Sequence, residues 1–168
     1  ISTAYLKYSG HFTETNENDG SVSGSLIITL NRDEFSQGTN FISIDNLPDG
    51  VSESFVRDSD TQITMTLSGE ATNHSLLNNI SNIRLVFDDN AFVNSTASEV
   101  SGSINETVRI DFLDPAVLTY AGGFTESSSN DGSVSGSTVI RLTNGIFANV
   151  ISDFVSVDNV PQGLTASF

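Results

Sequence analysis

The chain is predicted to be all-β, an antiparallel Greek-key β-sandwich with about seven short strands per repeat, set in tandem. Three observations predict it: period-two alternation of apolar residues, turn signals at short intervals, and a long internal duplication. The clearest strand comes early. Val22, Gly24, Leu26, Ile28 and Leu30 alternate with Ser21, Ser23, Ser25, Ile27 and Thr29, the pattern of a half-buried strand. Ile42 and Ile44 continue the signal, followed by Val51 and Phe55, then Ile63, Met65 and Leu67 set against Thr64 and Thr66. Ile83, Leu85 and Phe87 mark a further strand, and Val108, Ile110 and Phe112 close the series. Turn chemistry falls between them: "NDG" at Asn18, "NLPDG" at Asn46 and "DSD" at Asp58. Only "ATNHSLLNNISN", from Ala71, suits a short helix.

The duplication sets the domain plan. "FTETNENDGSVSGS" from Phe12 returns as "FTESSSNDGSVSGS" from Phe124, and the block Asn18 to Ser25 recurs intact from Asn130 to Ser137. After one inserted residue, "FISIDNLPDGVSESF" (Phe41 to Phe55) aligns with "FVSVDNVPQGLTASF" (Phe154 to Phe168). A period of this length is that of a whole domain rather than of a solenoid turn. Residues 1–112 are thus expected to form one complete repeat, and residues 113–168 the first half of a second copy. A half-repeat cannot cover its own apolar face. It is expected to belong to a longer protein, to borrow strands, or to stand partly exposed.

Composition narrows the function classes. Six Lys and Arg face 21 Asp and Glu, a formal net charge of −15. That balance argues against nucleic acid and anionic membrane surfaces, which need clustered cations. It suits an acidic, soluble surface in a salty or calcium-rich setting. The absence of cysteine excludes disulfides and thiolate metal sites. No apolar run reaches the roughly 18 to 20 residues of a membrane-spanning helix. Eleven Phe, with many Val, Ile and Leu, supply a core.

Candidate chemistry is sparse. "NENDGSVSG" places Asn16, Glu17, Asn18 and Asp19 before a Gly, loosely like a calcium loop, but no Glu stands at the twelfth position. A hairpin turn, with Asp-Gly supplying the positive φ, is the better reading. At the junction "RIDFLDPAVLTYAGGFTE", Asp111, Asp114 and Glu126 are candidate Ca²⁺ ligands that would stiffen a tandem array, although the first copy carries Ser2 opposite Asp114. Asp88 and Asp89, with Asn90, form a second oxygen cluster, which an acidic turn would equally explain. His11 and His74 stand alone, so no triad and no three-ligand zinc site suggests itself, and catalysis is not expected. Asn73, Asn79, Asn94 and Asn105 open N-x-S/T tripeptides, candidate glycan acceptors in a suitable host. Lys7, the only lysine, has no counterpart in the second copy, so a repeated Lys–Asn crosslink is excluded.

"FTETNENDGSVSGSLIITL" resembles the opening of Calx-β-type repeats. The whole unit, with "VDNVPQGLTASF" and "ITMTLSGEATNHS", resembles tandem β-sandwich repeats of very large bacterial surface and extracellular proteins. The likeness implies an Ig-like or Calx-β-like sandwich, an adhesin-type extracellular or cell-surface location, and Glu14 and Glu126 at the place of a calcium-ligating acid. The function expected is that of a structural module in a long array: an adhesin stalk, surface-layer component or filament subunit, stiffened by calcium or assembled by strand complementation. Its partners would be neighbouring copies of the repeat. The alternative is a carbohydrate- or ligand-binding accessory module. A binding module would show a groove with exposed aromatics, whereas the aromatics here mostly fall on inward strand positions.

Overall fold

A computed structural model describes residues 3–149 and 154–168; Ser2 lies outside them. The chain divides into two compact units, residues 1–115 and 116–168. The first holds seven strands: β1 (Tyr5–Glu14), β2 (Val22–Asn31), β3 (Ile42–Asp45), β4 (Val51–Ser59), β5 (Gln62–Gly69), β6 (Ile80–Phe87) and β7 (Ile104–Asp111). They join in one sheet, in the order β3-β6-β7-β1-β2-β5-β4, curled as a half-barrel. The sheet is mixed rather than purely antiparallel. β1 pairs with β2 antiparallel along its whole length, but with β7 in parallel, through Phe12↔Ile110 and Thr13↔Asp111.

The alternation read from sequence sorts the side chains. Leu26, Ile28 and Leu30 of β2, Ile63, Met65 and Leu67 of β5, Ile83, Leu85 and Phe87 of β6, and Val108 and Ile110 of β7 all face one buried core. Each such side chain contributes roughly 1.5–3 kcal/mol when fully withdrawn from water. Four phenylalanines, Phe35, Phe41, Phe87 and Phe92, pack ring against ring at one end, with Phe35 and Phe87 centroids 6.0 Å apart. An isolated Phe35↔Phe92 bridge pins the two loops that deliver them. Ile42, Ile44 and Phe55 are only half-buried, because β3 and β4 are the edge strands and have a neighbour on one side alone. The segment expected to hold a short helix forms a single 3₁₀ turn, Leu76–Asn78.

The second unit contains β8 (Val117–Glu126) and β9 (Val134–Thr143), which among the described residues pair only with each other. Their register reproduces that of β1 and β2: Leu118↔Leu142 matches Leu6↔Leu30, Tyr120↔Ile140 matches Tyr8↔Ile28, and Phe124↔Gly136 matches Phe12↔Gly24. Residues 154–168 form no strand, although their sequence repeats that of β3 and β4. In the first unit β3 is paired to β6 and β4 to β5. No second copy of the β5 or β6 sequence occurs among the 168 residues, and residues 154–168 pair with no strand among the described residues.

Candidate functional site: the Glu14 clamp

The duplicated motif builds a tight turn between β1 and β2. Asp19 Oδ1 accepts the Ser21 N–H at 2.9 Å and the Ser21 hydroxyl at 2.6 Å, and Thr15 Oγ1 lies 2.6 Å from Ser21 Oγ. Those bonds to Ser21 hold the Asp19 carboxyl below its ordinary pKa. Positive φ falls on Asn18 (53°) and Gly20 (90°): Gly20 supplies it as the Asp-Gly pair suggested, with Asn18 added and Asp19 left out. The reason is that Asp19 is fixed as the acceptor of an Asx turn, so its neighbours absorb the reversal. Gly20 is required twice over: beyond its φ, a Cβ there would sit 2.4 Å from the Ala71 carbonyl oxygen.

This turn positions Glu14, the last residue of β1, whose side chain is fully buried. Its Oε1 accepts the Gly20 N–H at 2.8 Å and its Oε2 accepts the Leu113 N–H at 2.8 Å. His74 Nδ1 lies 2.8 Å from Oε1, close enough for an ion pair but without hydrogen-bond geometry. Hydrogen bonds to a charged acceptor are worth about 1.5–3 kcal/mol each, and without them a buried carboxylate would be strongly destabilising. Two further side chains grip the same stretch. Asn79 Oδ1 accepts the Phe112 N–H at 2.7 Å, and Asn18 Nδ2 donates to the Asp114 carbonyl at 2.7 Å. Phe112, Leu113 and Asp114 are therefore each held by a side chain just where the chain leaves β7 and runs out of the first unit.

The second copy repeats the turn but not the clamp. Glu126 Oε1 accepts the Gly132 N–H at 2.9 Å, and Asp131 accepts both the N–H (3.0 Å) and the hydroxyl of Ser133. Asp131 is likewise held below its ordinary pKa by Ser133. Asn130 (49°) and Gly132 (83°) take the positive φ. Among the described residues Glu126 has no second N–H like that of Leu113, and it is exposed.

Asp111 pairs with Arg109 (3.3 Å). Asp88 Oδ1 accepts the Asn90 N–H (2.8 Å) and Asp89 Oδ1 the Ala97 N–H (2.7 Å), so both brace the loop after β6. Each Glu14 carboxylate oxygen accepts one backbone N–H, and the His74 imidazole stands beside Oε1. Among the described residues no three acidic or histidine side chains come together as a metal site would require.

Sequence reasoning missed the meeting of His74 with Glu14, which no local spacing reveals. It also missed Asp33, a buried acid that accepts the Glu34 N–H (2.8 Å) and both the N–H (3.1 Å) and side-chain amide (2.9 Å) of Asn94. Burial pushes its pKa up, but hydrogen bonds from Ser95, Glu34 and Asn94 outweigh that and leave it lowered. Two of the candidate glycan acceptors thus have structural duties, Asn94 on Asp33 and Asn79 on Phe112, and Asn105 accepts from Thr107. Tyr8 donates to the Gly102 carbonyl (2.7 Å), and its burial raises its pKa.

Among the described residues no helix is long and apolar enough to cross a membrane. A scan against protein-family models and searches of curated proteins and of solved structures gave no significant match.

Proposed function

We propose that the chain is a structural module of a long extracellular array, a stalk, surface-layer or filament element, built from Greek-key β-sandwich repeats in tandem, with residues 116–168 as the first half of a second copy. The observation that carries this reading is the clamp. A motif written twice uses Glu14 and Asn18, with Asn79, to grip three consecutive residues at the exit of the first unit. A module that works by holding shape needs its linkers to leave in a fixed direction, and hydrogen bonds to successive backbone groups restrict that direction. The acidic surface keeps successive units apart. Neighbouring copies of the repeat are the partners this reading requires, and no catalytic step enters it.

Backbone relaxation measurements test the clamp. Phe112 to Asp114 are expected to be as rigid as β7 in the native chain and to loosen in an Asn18→Ala, Asn79→Ala double variant that keeps its fold. A linker equally rigid in both proteins would remove the basis of the proposal. Stretching the chain between its ends adds a mechanical test: the first unit should rupture in one event, whereas gradual extension at low force contradicts a load-bearing role. Calcium at the junction is a separable proposal, weakened by the Arg109 partner of Asp111. A melting temperature lowered by chelator, and made insensitive to it by Asp111→Asn with Asp114→Asn, supports it; an unchanged melting temperature ends it.

One observation favours the accessory-module reading. A cleft of about 280 Å³ opens beside β1 and β7, lined by residues including Tyr8, His11, Asn105, Thr107 and Arg109. Saturable binding in a glycan-array screen, lost in Arg109→Ala, would move the assignment there.

A further inference from the structure

We propose that the β8–β9 face carrying Leu118, Tyr120, Phe124, Val134, Ile140 and Leu142 is a docking surface for a polypeptide segment with the strand pattern of β5–β7. This deepens the reading above and rests on residues 116–168 being a second copy of the first unit.

The first unit states what covers such a face. There the same positions are Leu6, Tyr8, Phe12, Val22, Ile28 and Leu30, and all but the half-buried Tyr8 are at most 8% exposed. Their cover comes from β5, β6 and β7, whose Ile63, Met65, Ile83, Leu85, Val108 and Ile110 join them in one cluster. In the second unit Phe124 is 64% exposed, Tyr120 64%, Leu118 47% and Val134 42%. The edges are equally specific. Leu26 to Thr29 of β2 pair with Gln62 to Met65 of β5, and Phe12 and Thr13 of β1 pair with Ile110 and Asp111 of β7. Among the described residues the matching edges of β9, at residues 138–141, and of β8, at Phe124 and Thr125, pair with no further strand.

An open edge offering N–H and C=O groups beside an apolar face is satisfied by backbone, which a lipid or a glycan does not supply. A second copy of this chain does not serve as the donor, because its own β5–β7 are already built into its first unit. The occupant is therefore a stretch of polypeptide that is not already built into a first unit. Its counterpart of Ile63 lies beside Ile140, its counterpart of Ile110 beside Phe124, and its counterpart of Leu113 donates an N–H to Glu126. On the inward face one position departs from the template: Thr138 replaces Leu26, which removes an apolar contact.

The test uses the whole 168-residue chain, isotopically labelled, and an unlabelled synthetic peptide of residues 60–115. Expected are saturable one-to-one binding, hydrogen-exchange protection gained in β8 and β9, and unchanged signals in β1 and β2. Ile140→Asp in the chain, or Ile63→Asp with Met65→Asp in the peptide, should weaken binding by about tenfold or more. A hairpin that shows the Tyr120↔Ile140 register yet ignores the peptide overturns this inference and leaves the second-copy reading standing. Absence of both hairpin and binding overturns the two together. Peptide that displaces strands of the first unit, or a free chain that self-associates through β8–β9 and resists the peptide, also overturns the proposed occupant.

Discussion

Phe12 and Phe124 occupy the same place in the same hairpin, opposite a glycine, two residues before the same glutamate and the same turn. One is fully buried and the other is 64% exposed. Glu14 and Glu126 differ likewise: each accepts the N–H of the turn glycine, but only Glu14 also holds the departing chain. The local structure of the two hairpins is thus written in their own residues, by Asx turns and alternating side chains. Burial and long-range hydrogen bonding are conferred from elsewhere in the chain. An isolated two-stranded hairpin is marginal in water, so the comparison separates what a motif specifies from what stabilises it.

Substitutions placed in pairs can break this contrast. The largest difference is expected for phenylalanine. Phe12→Ala should cost the first unit about 3–5 kcal/mol in urea unfolding, while Phe124→Ala should stay within about 0.5 kcal/mol, as at exposed sites generally. Equal losses would mean that both hairpins are covered alike.

Next comes the clamp. Glu14→Gln points a side-chain NH₂ at an N–H and should cost about 1–3 kcal/mol. Glu126→Gln, exposed and with one bond, should be nearly neutral in the same titration.

The glycines give a finer comparison. Gly132→Ala meets no atom within 4 Å and carries only the left-handed backbone penalty, about 1–2 kcal/mol. Gly20→Ala adds the collision with Ala71 and should exceed it. If the two are equal, the turn does not pack against residues 71–79 as described.

The smallest effect is acid sensitivity. Asp33 titrates lower in the folded state than in the unfolded chain, where an aspartate titrates at about 3.9. Its stabilisation is present above that unfolded value and is lost as pH falls through the lower folded one. Asp33→Asn should flatten the acid limb of the first unit's stability. Asp19 and Asp131, lowered in the same sense by Ser21 and Ser133, should weaken both turns alike over that range.

Much of this was legible in sequence. Period-two alternation located β2, β5, β6 and β7, and named their inward residues. The repeated "NDGSVSGS" marked the two turns. The parallel β1–β7 contact was not legible, because it joins residues nearly a hundred positions apart through two register pairs. Nor was the clamp: Glu14, Asn18, His74, Asn79 and Leu113 are brought together by the curl of the sheet. The gathering of acids near the junction makes Asp111 a candidate metal ligand in sequence, and its pairing with Arg109, two residues before it on the same strand, was not legible there.

Residue-resolved native-state hydrogen exchange on the intact chain tests most directly whether cover, rather than local sequence, separates the two hairpins. Cross-strand contacts should show the same register in both. The amides of β8 and β9 should nevertheless exchange at least about a hundredfold faster than their counterparts in β1 and β2. Equal protection in the two hairpins, or a different register in the second, would contradict it.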